Sequence, residues 1–511
     1  MERYLHGIVT VLLAIVLATA VGAPTGAQPR QDPDTIVIGV GTDPINLDPP
    51  YLGSLTADSV FTAVFDRLGW RSEPQMTPVL WAAESLTRVN PLTWQAKLRR
   101  GVKFHNGKEL TAESIKVTIE RYGTLQGANR WYYNQTAIDH VDVVDGQTAN
   151  IVTKEPSEIM PFAAANSFYL VEPEYYTKTS VAQLAARPIG TGPYKFVEYV
   201  KDDRVVLERN DAYWGEKPAF RRVVFRVIPE AAVRMAELEA GNLDVVEKVP
   251  MDKTEAIQRM PNARPVSIIS GRRVFLQAMR KPGTPLADRR VMKALQHAVD
   301  MDTIIKSLLG GTTKRMATFV NAPYDDPGLR PYKYDPDLAR KMLAEAGYAN
   351  GFEVNLYTSI GRLTRDKEVS EAIASYYGRV GIQARVQVLE WSVMVSRARQ
   401  CQLDGLYLRS EGPEFSDQGD LQGISPEHVD FMVCSQWDNS AWKNGYAELR
   451  REPRPDRRRG LTLRLQKIAY EDPPIVMLYN EPNLYGVSKR VKWNPRVDER
   501  LYPSRMWKAT P

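Results

Sequence analysis

The stretch from Pro188 to Pro218 constrains the fold more than any other part of the chain. It reads Pro-Ile-Gly-Thr-Gly-Pro-Tyr-Lys-Phe-Val-Glu-Tyr-Val-Lys-Asp-Asp-Arg-Val-Val-Leu-Glu-Arg-Asn-Asp-Ala-Tyr-Trp-Gly-Glu-Lys-Pro. Gly190, Gly192 and Pro193 predict a sharply bent entry, since glycine tolerates positive φ and proline fixes its own. Tyr194 and Phe196 then alternate with Lys195 and Val197 at the period of a half-buried strand. Lys201 to Arg204 is a polar break, and Val205, Val206 and Leu207 open a second β run, so the unit predicts a hairpin.

Around that hairpin the pattern is α/β. Thr35 to Val40 is a nearly continuous apolar run, as in a strand covered on both faces, and it ends in the turn-rich loop Gly41 to Pro49. Val60, Val64 and Leu68 have helical spacing. Trp94 to Leu98 reads as a strand, Val102 with Phe104 as another short one, and Asn106-Gly107 as a tight turn. Thr111 suits an N-cap, with Ile115, Ile119 and Tyr122 on one face of the helix it starts. Val141 to Val144 and Ala149 to Val152 flank Asp145-Gly146 as a hairpin. Val223 to Val227, a helix opened by Pro229 and closed by Gly241, and Leu243 to Val246 make a βαβ unit with a right-handed crossover. Helices follow at Asp288 to Val299, from Asp302, and between Asp335 and Gly347. Phe352 to Leu356, a helix carrying Val369, Ile373, Tyr376 and Val380, and Ile382 to Val388 repeat the βαβ pattern. Pro474 to Tyr479 reads as a strand returning to the first unit. Two such units far apart in 511 residues predict more than one α/β core.

Composition narrows the function classes. With 43% hydrophobic and 25% charged residues the chain is an ordinary folded one, and a net charge of +6 over this length does not call for nucleic acid. Residues 1–27 carry Arg3, an apolar run from Ile8 to Ala20 and small residues at Thr25-Gly26-Ala27, the order of a cleavable secretory signal peptide; the run is short for a membrane span. Cys401 and Cys434 are the only cysteines, so none near the cleavage region carries a lipid. An oxidising compartment permits their disulfide, and two buried thiols are equally compatible with the sequence. The basic run Arg450 to Arg459 is broken by acids and prolines and reads as a solvated loop and helix start. There is no Gly-x-Ser-x-Gly elbow and no Walker lysine motif, and Gly39-Val40-Gly41 lacks the later glycine of a dinucleotide loop. The histidines at 6, 105, 140, 297 and 428 are not paired at helical spacing, so no zinc motif is present, and His105 reads as structural. Neither catalysis nor a cofactor is expected.

The hairpin also carries a resemblance. Gly190-Thr191-Gly192-Pro193-Tyr194-Lys195-Phe196, then Leu207-Glu208-Arg209-Asn210 and Tyr213-Trp214-Gly215, closely resemble the signature of the family 5 extracellular solute-binding proteins, receptors of peptide- and nickel-type ATP-binding-cassette importers. Leu98 to Glu113 and Pro285 to Leu295 resemble two further signatures, and the likeness runs from about Thr35 to Trp507. It implies a two-lobed α/β periplasmic-binding-protein (Venus-flytrap) fold with an extra small α+β domain inserted in the N-terminal lobe. The implied division is a signal peptide at 1–27, a base lobe at 28–65, 187–270 and 474–511, the inserted domain at 66–186 and a second α/β lobe at 271–473. Two strands should join the lobes, entering the second near Ile269 to Val274 and leaving it near Pro474. A solute that bridges both lobes would favour their closure. The implied role is a monomeric periplasmic receptor that captures a peptide or peptide-like solute and delivers it to the importer's permease subunits, reaching the inner membrane only through them.

By the same resemblance, the positions after the first loop, including Gly53 and Ser54, line the ligand cleft with backbone groups; an ordinary loop beside a strand is the plainer reading. Trp131 and Tyr132, with Tyr133, suit either a pocket wall or a local core. Where peptide-binding relatives carry a tryptophan and an amine-capturing aspartate, this chain reads Leu403-Asp404-Gly405-Leu406-Tyr407-Leu408-Arg409-Ser410-Glu411-Gly412-Pro413-Glu414-Phe415. Glu411 or Glu414 is the substitute amine anchor, and Arg409, beside Ser410, could pair a carboxylate through its fork of donors. Solvated loop charges are the alternative for each. The departure leaves nickel, haem, an opine or an oligosaccharide-like solute open as ligands. A secreted hydrolase on a similar frame and a chaperone-like binder of extended segments are the competing classes.

Overall fold

The computed structural model describes residues 32–426 and 433–509; the expected signal peptide lies outside the described residues. Ten strands form one sheet: β1 (Thr35–Val40), β2 (Tyr194–Val200), β3 (Arg204–Arg209), β4 (Arg222–Val227), β5 (Val245–Val249), β6 (Ala263–Ala278), β7 (Phe352–Thr358), β8 (Ile382–Val388), β9 (Leu406–Glu411) and β10 (Ile475–Ser488). Their order is β8-β7-β9-β6-β10-β5-β1-β4-β3-β2. β2 and β3 are the expected hairpin. β1, with every residue buried, sits between β4 and β5 and runs parallel to both, so the first βαβ crossover passes over it. β7 and β8 are parallel, joined by the helix Asp366–Gly378.

The two α/β units share this sheet because β6 and β10 are long enough to belong to both. They pair antiparallel from Ala263↔Ser488 to Gln277↔Ile475, with a register break between Ile269 and Arg273. On one side of the break Val266 and Ile268 pack on a core built from Ile36, Phe61, Leu207 and Phe225. On the other, Val274, Leu276, Val476 and Leu478 join a separate core with Leu295, Leu356 and Ile373. The return strand therefore contributes to both cores, Val476 and Leu478 to one and Tyr485 and Val487 to the other. At the break, Ser270 Oγ donates to the Glu481 carbonyl at 2.9 Å and Gly271 N to the Val497 carbonyl at 2.8 Å, which satisfies the backbone where the ladder is interrupted.

A second, four-stranded antiparallel sheet stands apart, in the order Ala83–Asn90, Thr93–Leu98, Thr148–Thr153, Ile138–Val143. The helix Ala112–Thr124, with the capping box Thr111/Ser114, packs on it through Ile115, Ile119 and Tyr122. Local departures from the sequence pattern have simple causes. The helix expected over Val60 to Leu68 is Leu55–Val64, because Ser54 caps it and accepts from Ala57 N. Val102 and Phe104 flank an isolated Lys103↔Glu109 bridge rather than a strand. The helix expected from Asp302 begins at Met301 under the cap Asp300.

Candidate functional site

The residues that meet between the lobes come from short elements held by buried charge. Arg71 ends the strand Gly69–Arg71, and its carbonyl accepts from Arg496 Nη2 at 3.3 Å. Arg496 pairs with Asp498 at 2.9 Å and lies over the rings of Trp70 and Tyr502. Burial would push the Asp498 carboxyl up, but Arg496 and Arg500 outweigh it and hold the group at about 2. Tyr132 stands on the short helix Trp131–Gln135 and Asn166 ends the helix Met160–Asn166.

Opposite them lies the segment after β9. Arg273 pairs with Asp420 at 2.6 Å and donates to the carbonyl of Gly412, while Asp420 accepts from Glu414 N at 3.1 Å. Ser416 caps the helix Asp417–Gln422. The turn is thereby pinned at both ends, and Phe415 packs against Gly271 in the crossover, where a Cβ would lie 2.6 Å from its ring.

So placed, Glu414 meets residues 282 and 248 positions earlier in the chain. Tyr132 OH donates to Glu414 Oε2, Asn166 Nδ2 donates to the same oxygen at 3.3 Å, and Tyr132 OH in turn accepts from Arg71 Nη2 at 3.1 Å and from Asn166. A hydroxyl that accepts from two donors while donating to a carboxylate is polarised along the chain of bonds. The Arg71 guanidinium lies 5.6 Å from the Phe415 ring centroid. Burial raises the Glu414 carboxyl above its ordinary range, with Arg71 and the Tyr132 bond working against it. Burial also raises the Tyr132 phenol, and Glu414 adds to that. Around this centre, Gln418 Nε2 donates to Gln135 Oε1 at 3.4 Å, Phe162 packs edge-on to Tyr324, and Glu155 accepts from Arg450 at 2.7 Å and Arg451 at 2.8 Å.

A family model for the middle part of the bacterial extracellular solute-binding proteins, family 5, matches residues 77–420. The chain belongs to that family. This solute-binding protein is 29% identical over 339 residues to the dipeptide-binding protein of Escherichia coli K12, a match covering 60% of this chain and 62% of that one. It is 26% identical to a glutathione-binding protein of Pectobacterium atrosepticum, over 85% of this chain and 83% of the relative, and 26% identical to the nickel-binding periplasmic protein of E. coli, over 76% and 78%. All three relatives are binding proteins by name. Its fold is that of HbpA2 from Haemophilus parasuis (TM-score 0.80, 22% identity, 93% of this chain and 100% of that one) and of a Helicobacter pylori periplasmic binding protein in complex with the peptide STSA (TM-score 0.79, 21% identity, 93% and 98%). The two-lobed α/β architecture of the periplasmic binding proteins is thus the fold of this solute-binding protein.

Within that fold the candidate residues divide. Tyr132 and Glu414 are brought into direct contact. Arg409 and Glu411 pair with each other on β9, where Arg409 is buried over Phe275, and Ser410 lies 3.5 Å from Arg272. Trp131 is partly buried against the core of the smaller sheet. Ser54 is used as a helix cap and Gly53 is exposed; their loop meets the segment before Trp131, where Asn129 bonds the carbonyls of Pro50 and Leu52. Cys401 and Cys434 form a disulfide that spans β9 and the Glu414 turn. Arg71, Asn166, Glu155 and Tyr324 were not legible, because single polar residues in short elements leave no periodic trace. The basic run is the expected loop and helix start, with Arg451, Arg454 and Arg457 exposed, while Arg458 pairs with Asp417 at 2.7 Å and Arg459 bonds the carbonyls of Tyr324 and Asp325. Among the described residues, no group of three or more His, Cys, Asp or Glu is arranged to hold a metal ion, and no helix is long and apolar enough to cross a membrane.

Proposed function

We propose that this solute-binding protein is the periplasmic receptor of an ATP-binding-cassette importer, exported by the signal at residues 1–27. It captures a small peptide or peptide-like solute by closing its two lobes and hands it to the membrane permease without altering it chemically. The observation that carries this reading is the pair β6 and β10, two long strands whose ladder shifts register between Ile269 and Arg273, and again between Val274 and Phe275, where two separate hydrophobic cores meet. Few crossing segments permit rotation about a narrow line, and the polar seam at Tyr132, Asn166 and Glu414 lies where closure brings the lobes together. In the proposed division, the lobes part at residues 270/271 and the inserted domain, 66–186, supplies Arg71, Tyr132 and Asn166.

A second reading, with a non-peptide acid such as an opine as ligand, is favoured by one feature. Glu411 and Glu414, the candidate amine anchors, are both engaged within the protein. A thermal-shift screen of the mature protein against di- to pentapeptides, amino acids, opines, sugars, nickel and haem separates the two. A ligand at a hundred times its Kd stabilises by about 2.7 kcal/mol. A shift with peptides supports the first reading; a shift confined to opines or sugars replaces it.

A further inference from the structure

Arg71 is an unusual residue for a closed seam. It is 2% exposed, forms no ion pair with any described residue, and its Nε and Nη1 have no hydrogen-bond partner. A buried guanidinium that feels Glu414 and Asp498 only at a distance, with no directly bonded anion, is costly, and orphaned buried donors call for an explanation. Its neighbours supply one. Tyr132 and Asn166 donate to a carboxylate that already sits there, that of Glu414, and Arg71 stands behind them, donating to Tyr132 OH.

We propose that Arg71, Tyr132 and Asn166 form an acid-reading site that takes a carboxylate of the solute, and that Glu414 fills this site when the protein is empty. The inference rests on the receptor reading and names the chemistry of its ligand: a solute bearing at least one carboxylate. Glu414 shows that a carboxylate fits against Tyr132 OH and Asn166 Nδ2, while the two unused donors of Arg71 remain for a group that a tethered side chain does not reach. Glu414 arrives on a turn fixed by Arg273 and Asp420, so it competes as an intramolecular ligand, at the high effective concentration a short tether confers. A solute acid must displace it, which couples entry of the acid to release of a contact between the lobes.

The test is calorimetric titration of the mature protein with matched probes: Ala-Ala and Ala-Ala-amide, succinate and succinamide. In the wild type each acid should bind at least tenfold more tightly than its amide. Glu414→Gln keeps the size of the competitor and removes its charge, and should tighten acid binding severalfold. Arg71→Met should erase the acid preference, with Tyr132→Phe as the milder variant if Arg71→Met does not fold. Equal binding of acid and amide, a tenfold preference retained in both Arg71→Met and Tyr132→Phe, or no binding of any acid to Glu414→Gln overturns the proposal. If succinate binds and peptides do not, the acid site stands and the peptide reading falls. If peptides bind without regard to amidation, the peptide reading stands and the acid site falls.

Discussion

At Gly192 a Cβ would lie 2.6 Å from the Val64 carbonyl carbon and 2.7 Å from the carbonyl oxygens of Ala63 and Val64, and at Gly190 the approach is closer still. Neither glycine has positive φ, so the bent entry expected from conformational freedom is in fact a close approach of two backbones. The rest of the signature serves the same junction. Thr191, Tyr213, Trp214 and Trp81 all donate to the buried Asp66 carboxylate, and His105 donates through Nε2 to the Gly192 carbonyl while its Nδ1 accepts from Gly190 N. Burial holds His105 down at about 4, which keeps the ring neutral for that pair of bonds. Gly192→Ala must move backbone and should cost at least about 2 kcal/mol, read as a lowered denaturation midpoint. At the crossover, Glu481 is buried and pushed up to about 7, chiefly by burial, with Arg272 and Arg362 opposing and Glu499 adding to the rise. Below pH 4.5 the carboxyl is protonated folded or unfolded. Between 4.5 and 7 the folded state keeps a proton that the unfolded chain has lost, so stability falls across that window, by up to about 3 kcal/mol, and is flat above it. Glu481→Gln should remove this slope from a pH series of melting temperatures; an unchanged slope would assign the titration to another group.

Among the elements, those with strong periodicity or a cap were legible and those defined by partners were not. Thr35–Val40, Pro336–Glu345 and Ile382–Val388 follow from apolar runs, the Asp335 cap and alternation respectively. β6 was expected, by resemblance, only as a crossing strand near Ile269 to Val274; its full length was not legible because Ala263 to Ala278 mixes arginines with apolar residues, and Arg273 is buried there with Asp420, distant in sequence, as its partner. The disulfide belongs to this scale as well. Sequence left it open, since spacing says nothing of whether two Cα atoms approach; folding brings them to 5.1 Å. It closes a loop of 33 residues by sequence separation that contains β9 and the Glu414 turn. The double variant Cys401→Ser/Cys434→Ser should lose about 3 kcal/mol in urea unfolding, through the gain in unfolded-chain entropy.

For the whole molecule the question is how firmly the lobes are held together. Glu155 accepts from Arg450 and Arg451, but Arg451 and the rim around it are open to solvent, so the clamp adds little to the stability of either core. In the proposed closing receptor its effect falls on the equilibrium between open and closed forms. Glu155→Ala should shift the solution scattering of the empty protein toward a larger radius of gyration while its unfolding midpoint changes by less than about 1 kcal/mol; a lost midpoint with no change in radius would place Glu155 in the fold instead. By itself the sequence determined the α/β class, the family and the positions of its signature segments, because these depend on local periodicity, caps and a contiguous string of residues. The tertiary structure alone decided that two strands fuse both units into one sheet, that the glycines of the signature are there for closeness, and that Glu414 meets Tyr132, Asn166 and Arg71. Each of those is a contact between segments far apart in the chain, and a side chain's partner across such a distance leaves no mark on the residues beside it.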